Sequence, residues 1–342
     1  MHLKKERCNI LVIGLLSSGS SGVNALLKEY ENIGYFSIEF DDFRAPGLVA
    51  DQLSYPSCVN FPNKIDELVK FSNLTKILLF KSLIWKIFYN CVPKKYWGID
   101  WNQDILNRFK FKLLRLNQLY LLQQLNKHLK TNIAFDEKIQ ISNKWIQQIG
   151  NIFPSDKDYI LFDQPLMTSL DADIWTTVFK PFKMIIVYRD PRDQLADIIH
   201  RGYLFSPYGS PAMTMAGVNI TAIYGRGKKG GIKFHLDAIR NRLKWIESLE
   251  KRLGPDQLLL IDYEGLVNKY DDYKSIIEHF IGGISDKHSH KNKYFNPVVS
   301  KNNIGIYKKY LGEDDLKDLS DLREWYFQRI GHQKTYAGIN VV

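Results

Sequence analysis

The chain has 342 residues, 45% hydrophobic and 25% charged, which supplies a full apolar core and excludes a disordered polyelectrolyte. Its net charge of +10 favours anionic partners: nucleotides, polyanionic glycans, nucleic acid or a membrane surface. Cys8, Cys58 and Cys91 have neither metal nor disulfide spacing and read as reduced thiols of a cytosolic protein. No secretory signal is expected after Met1 to Arg7. The most apolar stretch, Ile77 to Val92, carries Lys81 and Lys86 and falls short of a membrane span.

Asn9 to Ile13 is an apolar, β-branched run that predicts a buried strand. A glycine–serine loop follows from Gly14 to Gly22. Val23, Ala25, Leu26, Leu27 and Tyr30 then recur at helical spacing, with Ser21 as the expected cap. Strand, loop and helix N-terminus together form an anion site, because backbone N–H groups converge where the helix dipole is positive. Gly14 and Gly19 have the spacing of a nucleotide triphosphate loop, but Ser20 stands where its lysine belongs. Such a loop cradles a phosphate and is poorly equipped to transfer a γ-phosphate. A plain turn that uses glycine only for geometry is the alternative.

Gly34 to Phe40 predicts a second strand, ending in Glu39, Asp41 and Asp42 with Arg44 beyond. Residues 60–150 change character. Apolar and aromatic residues recur at helical spacing, so a helical insertion of three or four helices is expected. It carries no chemical motif. Its basic, aromatic surface suits packing first, then an acceptor or a membrane face. Strands resume at Tyr159 to Phe162, followed by Asp163 and Gln164, and at Met184 to Tyr188, followed by Arg189, Asp190, Pro191 and Arg192. Pro191 suits the first turn of a helix running to Arg201. A long loop at 203–231 precedes an amphipathic helix from Ile232 to Leu253. Gln257 to Ile261 is the last strand. His288 to Ser300 reads as loop with solvated histidines, and Glu313 to Arg329 as helix.

Five strands of this kind predict a three-layer α/β fold with a central parallel sheet, in one domain spanning 1–342 with the insertion at about 60–150. In a parallel sheet the carboxyl ends of the strands share one edge. That edge would gather Ser17 to Ser21, Asp41, Asp42, Arg44, Asp163, Gln164, Arg189 and Arg192. Two anion sites without a triphosphate-loop lysine suggest a nucleotide bearing two separated phosphate groups.

Three segments resemble the sulfotransferases that use 3′-phosphoadenosine 5′-phosphosulfate (PAPS), in a P-loop-like fold. GLLSSGSSGV resembles the loop for the 5′-phosphosulfate, VYRDPRDQLAD the 3′-phosphate segment, and SKNNIGIYKKYL the late loop that closes over the nucleotide. DYEGLV matches a frequent segment before that loop. Residues 45–150 are not covered. The resemblance implies that Ser17, Ser18, Gly19, Ser20, Ser21 and Gly22 hold the 5′ side. Of these, Ser18, Gly19, Ser20 and Ser21 are the 5′ set proper; by the same resemblance Arg189 and Lys301 fall at the 3′-phosphate, with Ser17, Gly22, Asn302, Gly305 and Lys308 completing the donor site. Three positions depart from the pattern: Ser17 replaces a basic residue, Asp197 a serine, and Tyr307 a tryptophan.

Sulfonate transfer needs a base for the acceptor hydroxyl, donors for growing negative charge and in-line alignment. Asp163, Asp42 and His200 are the candidate bases, in that order. Asp163 reads equally as a helix cap, and His200 as a surface histidine near a helix C-terminus. The expected function is sulfonate transfer from PAPS to a hydroxyl, on a carbohydrate and of the bacterial carbohydrate type. No metal and no nucleic-acid partner is expected. The place is the cytoplasm, with peripheral membrane contact through the insertion as an option. A P-loop kinase or nucleotidase, and a non-enzymatic basic binder of glycans or membranes, are the competing readings.

Overall fold

The computed structural model describes residues 7–14, 17–36, 39–40, 133–165, 172–204 and 227–332, with single positions at 49, 53, 121, 124, 125 and 128. Asp41, Asp42, Arg44, most of the expected insertion and residues 205–226 lie outside the described residues. The chain divides into two compact units, one of residues 1–35, 156–168 and 181–342, the other of 36–155 and 169–180.

The first unit is built on a five-stranded sheet of β1 (Cys8–Gly14), β2 (Ile33–Tyr35), β3 (Tyr159–Asp163), β4 (Phe182–Tyr188) and β5 (Leu258–Asp262), in the order β2-β3-β1-β4-β5. Every neighbouring pair is parallel. The expected α/β class with a central parallel sheet is therefore present. Ile10 and Val12 of β1 are buried on one face and Leu11 and Ile13 on the other, so both faces are covered. On the first face, Ile10 and Val12 join Val23, Leu26 and Leu27 of α1 (Ser20–Leu27) in one apolar cluster. Burial of such aliphatic side chains is worth about 1.5–3 kcal/mol each.

β2 is only three residues long, against the seven expected for Gly34 to Phe40. It is an edge strand, paired to β3 alone, and it stops at Tyr35. Most remaining elements of this unit lie close to the expected bounds, but the single helix expected at Glu313 to Arg329 is two, Glu313–Lys317 and Ser320–His332. The elements include α2 (Pro191–His200), α3 (Lys228–Glu250), α4 (Tyr263–Asn268) and α5 (Tyr270–Ile281). The late chain forms α6 (Pro297–Ser300), a 3₁₀ turn at Lys301–Asn303, α7 (Tyr307–Tyr310), α8 (Glu313–Lys317) and α9 (Ser320–His332). α3 begins inside the GRGKKGG segment, which was expected to be loop.

His288 is not solvated, in contrast to expectation. Its side chain is 7% exposed, stacks on Tyr30 at 4.6 Å and donates from Nε2 to Glu29 at 2.7 Å. Glu29 is fully buried and also accepts from the backbone N–H groups of Asn292, Tyr294 and Phe295. A buried carboxylate requires such donors, and here they fix the chain that leads into the late loop.

In the second unit, a helix at Phe135–Gly150 agrees with the helical period seen at Ile139 to Ile149. Its Asn143 donates to the carbonyls of Thr177, Val178 and Lys180, at the end of the Ala172–Val178 helix. Phe36, Phe40, Phe153 and Trp145 form an aromatic cluster in the same unit.

Candidate active site

The carboxyl ends of β1, β3, β4 and β5 bring the first unit's polar segments to one edge. Gly14 ends β1, and the loop turns into α1 through Ser17 (φ 47°) and Gly19 (φ 86°). Gly19 is the helix N-cap and no side chain caps α1, so the expected Ser21 cap is not used. Ser21 lies exposed in the first turn instead. A Cβ on Gly14 would lie 2.5–2.8 Å from Ser20 Oγ, Gln164 Nε2 and Ser18 Oγ. Three polar side chains thus close around the loop's entrance, and glycine is the residue that leaves them room. Gln164 holds a left-handed backbone (φ 50°) and donates from Nε2 to Ser20 Oγ at 2.6 Å. Gly22 sits against the Phe295 ring, leaving only 3.0 Å for a Cβ.

Arg189 follows β4 directly and is 5% exposed. Its Nη1 donates to the Ser17 carbonyl at 3.1 Å, and its Nη2 donates to the Asn303 carbonyl. Its Nε lies 3.8 Å from Glu264 Oε1 and has no hydrogen-bond partner. The guanidinium also sits over the Tyr263 ring at 5.1 Å. One side chain therefore joins the glycine–serine loop, the DYEGLV segment and the late loop.

Asp193, on the first turn of α2, holds the late loop by its backbone. Oδ2 accepts from Gly305 N–H at 2.6 Å, and Oδ1 from Tyr307 N–H at 2.9 Å. Gly305 has φ 78°, which turns the chain there. Arg192 stacks over the Tyr307 ring at 4.3 Å, so the tyrosine that stands in place of tryptophan still packs on α2. Asp197 does not present its charge to a ligand. It is buried and paired with Arg201 one turn on, at 2.9 Å. Lys301, Asn302 and Lys308 are exposed on the late loop.

Asp163 ends β3 level with Val12 of β1. Its Oδ1 accepts from Asn24 Nδ2 at 2.6 Å, and Asn24 is buried on α1 with its Oδ1 unpartnered. Nearby, burial holds the Lys28 ammonium below its ordinary value, while the Asp163 charge pulls it back up. His200 is the last residue of α2, about 14 Å along the axis from its start at the site edge. It is exposed, with its ring 4.8 Å from that of Tyr310. The fold therefore gathers Asp163, the loop and Arg189, and leaves His200 at the far end of its helix. Asp42 lies outside the described residues.

Tyr263 and Glu264 bring the DYEGLV segment into the site, and Arg242 joins it without any local signal in sequence. Arg242, in mid-α3, donates from Nη1 to the Gly14 carbonyl at 2.6 Å. Glu264 and Asp262 share the hydroxyl of Tyr326, at 2.7 and 2.8 Å. One hydroxyl hydrogen cannot serve both carboxylates. A proton on Glu264 resolves the conflict by donating back to the tyrosine oxygen. Burial first, and then the Asp262 charge, accordingly push the Glu264 carboxyl up to about 8. Among the described residues no group of His, Cys, Asp and Glu is placed to hold a metal ion. None of the described helices is long and apolar enough to cross a membrane.

No family model matches the chain, and no curated protein matches it. The solved structures to which the chain is similar include two sulfotransferases. One is the sulfotransferase domain of the Synechococcus PCC 7002 olefin synthase, at 14% identity over 94% of this chain and 89% of that one, with a TM-score of 0.41. The other is sulfotransferase STF9 from Mycobacterium avium, at 10% identity over 94% of this chain and 77% of that one, with a TM-score of 0.44. Neither likeness assigns a role to any residue.

Proposed function

We propose that this chain is a sulfotransferase that moves a sulfonate group from PAPS to a hydroxyl acceptor. The observation that carries the reading is Arg189, which draws together the three segments that resemble the donor site. The left-handed Gly19 turn and the first turn of α1 offer backbone N–H groups to the 5′-phosphosulfate. Arg189 is assigned to the 3′-phosphate, since a guanidinium fork suits phosphate and its buried Nε is unpartnered. Ser17, Ser18, Ser20, Ser21 and Gly22 are assigned to the 5′ side, and Lys301, Asn302, Gly305 and Lys308 to the closing loop.

Asp163 is proposed as the base that takes the acceptor's proton, with Asp42 and His200 as the reserve candidates. Asn24 would orient the carboxylate, as its amide now does. A carbohydrate acceptor, a cytoplasmic location and membrane contact through residues 60–150 remain part of the proposal.

Ligand-induced stabilisation tests it, because a ligand that binds only the native state raises the melting temperature. Adenosine 3′,5′-bisphosphate should stabilise the protein more than adenosine 5′-phosphate, and Arg189→Ala should erase the difference. A hydrogen bond to a charged group is worth about 1.5–3 kcal/mol. Equal shifts from both nucleotides in the parent protein would reject the assignment of Arg189.

A further inference from the structure

Arg189 gives both Nη groups to carbonyls, those of Ser17 and Asn303, and holds Nε 3.8 Å from Glu264 Oε1. Glu264 is the one carboxylate paired with Arg189 among the described residues. Both of its oxygens accept from the Asp190 N–H at 3.3 Å, and Oε2 also accepts from the Tyr326 hydroxyl. Asp262, at the end of β5, takes the same hydroxyl from the other side. Two carboxylates thus meet on one hydrogen, and a proton from solvent completes the pair. The other ionisable groups around Glu264 come from β4, α5 and α9. Burial holds the hydroxyls of Tyr188, Tyr270, Tyr273 and Tyr326 above their ordinary range, so none of them ionises near pH 8. Asp271 and Asp272 of α5 are exposed. The Asp190 carboxylate is tied to Arg192 at 2.5 Å, and Arg329 to Glu250. α6 has no ionisable side chain, and Lys301 beyond it is exposed.

We infer that Glu264 is a proton-linked positioning residue of the donor site: protonated, it leaves the Arg189 charge to the 3′-phosphate, and ionised, it competes with that phosphate for the same guanidinium. The inference rests on the donor reading proposed above. A phosphate beside Arg189 adds negative charge next to the Asp262–Glu264 pair, so nucleotide binding draws a proton from solvent onto the pair. Proton uptake makes affinity highest at low pH and lowers it as pH rises through about 8, where the Glu264 carboxyl gives up its proton. Glu264 touches no nucleotide in this arrangement and acts through Arg189.

The test is calorimetric titration of the full chain with adenosine 3′,5′-bisphosphate at pH 7, 8 and 9. Phosphate monoesters titrate near pH 6, so the probe's charge is nearly constant over this range. The parent's affinity should fall by about fivefold from pH 7 to pH 9, the fall produced when binding holds the pair's proton about tenfold more tightly. Repeating the titration at pH 8 in buffers of different ionisation enthalpy should count about 0.4 proton taken up per nucleotide. Adenosine 5′-phosphate, which lacks the 3′-phosphate, should take up none. Glu264→Gln keeps an acceptor for the Asp190 N–H and a donor for Tyr326 without a charge. Its affinity for the bisphosphate should stay within about twofold from pH 7 to pH 9, with no proton taken up. A purely structural Glu264 would change stability and leave the proton count at zero. Tight but pH-independent binding by the parent, with no proton taken up, overturns the inference and leaves the donor reading standing. A proton count that is unchanged in Glu264→Gln, or equal for the two nucleotides, overturns it as well. A parent that binds neither nucleotide at any of the three values overturns the donor reading, and the role of Glu264 with it. If Glu264→Gln does not fold, the parent's proton counts with the two nucleotides decide.

Discussion

Gly19 and Tyr263 occupy adjoining space so completely that a Cβ on Gly19 would lie 2.2 Å from the Tyr263 ring. The same glycine holds φ at 86°, a left-handed conformation that side chains disfavour. Two separate causes therefore demand glycine at the N-cap of α1. They also couple the loop to Tyr263, whose ring carries the Arg189 guanidinium on top of it.

Gly19→Ala should accordingly lower the melting temperature and abolish nucleotide binding together. The left-handed conformation costs about 1–2 kcal/mol for a residue with a Cβ. The clash adds to that until the ring moves. Tyr263→Ala removes the ring, so the two substitutions should be non-additive, with Gly19→Ala costing less in the Tyr263→Ala background. Equal costs in both backgrounds, measured by denaturant unfolding, would show that φ alone sets the requirement.

Asp163→Asn should lose turnover and keep nucleotide affinity. An amide has nearly the carboxylate's size, and Asn24, whose Oδ1 is unpartnered, can turn its own amide to accept from it. What the variant cannot do is take the acceptor's proton, and such a base is worth about 10²–10⁴-fold in rate. Asp42→Asn and His200→Gln are the comparisons. Full turnover by Asp163→Asn with loss in one of the others would reassign the base.

Glu264 links stability to pH. Its proton is bound more tightly in the folded chain, at about 8, than at the ordinary 4.5 of a free glutamate. The stability it contributes is therefore present in full below about 4.5 and is lost as pH rises towards 8. Glu264→Gln keeps a donor for Tyr326 and carries no charge to desolvate. It should flatten the stability profile across this window and gain on the parent most near pH 8. Chemical unfolding at pH 5 and pH 8 checks this. A parent and a variant whose stabilities differ equally at both values would show that Glu264 does not titrate there.

The chain's own pattern sufficed for four of the five strands and for most of the helices around them. Asn9 to Ile13 and Met184 to Tyr188 are short β-branched runs bounded by polar turns, and both became central strands. Pro191 starts its helix as expected, with Asp190 as cap. Those signals are local: a period and a terminus lie within a few residues of each other, so they survive without knowledge of the fold. The polar strand ends were legible for the same reason, since parallel topology sends them to one edge.

Tertiary structure decided the rest. Nothing near Arg242 marks it as a neighbour of Gly14, because the two meet only when α3 packs on the sheet. His288 looked like a loop histidine until the buried Glu29 claimed it across the fold. Asp197 stands where the resembled pattern has a serine, and only the fold shows its charge paired with Arg201. β2 ends at Tyr35, where its pairing with β3 ends. In each case the outcome turns on which group a buried charge or an unpaired backbone meets. That is settled by long-range packing and desolvation, which no stretch of sequence carries by itself.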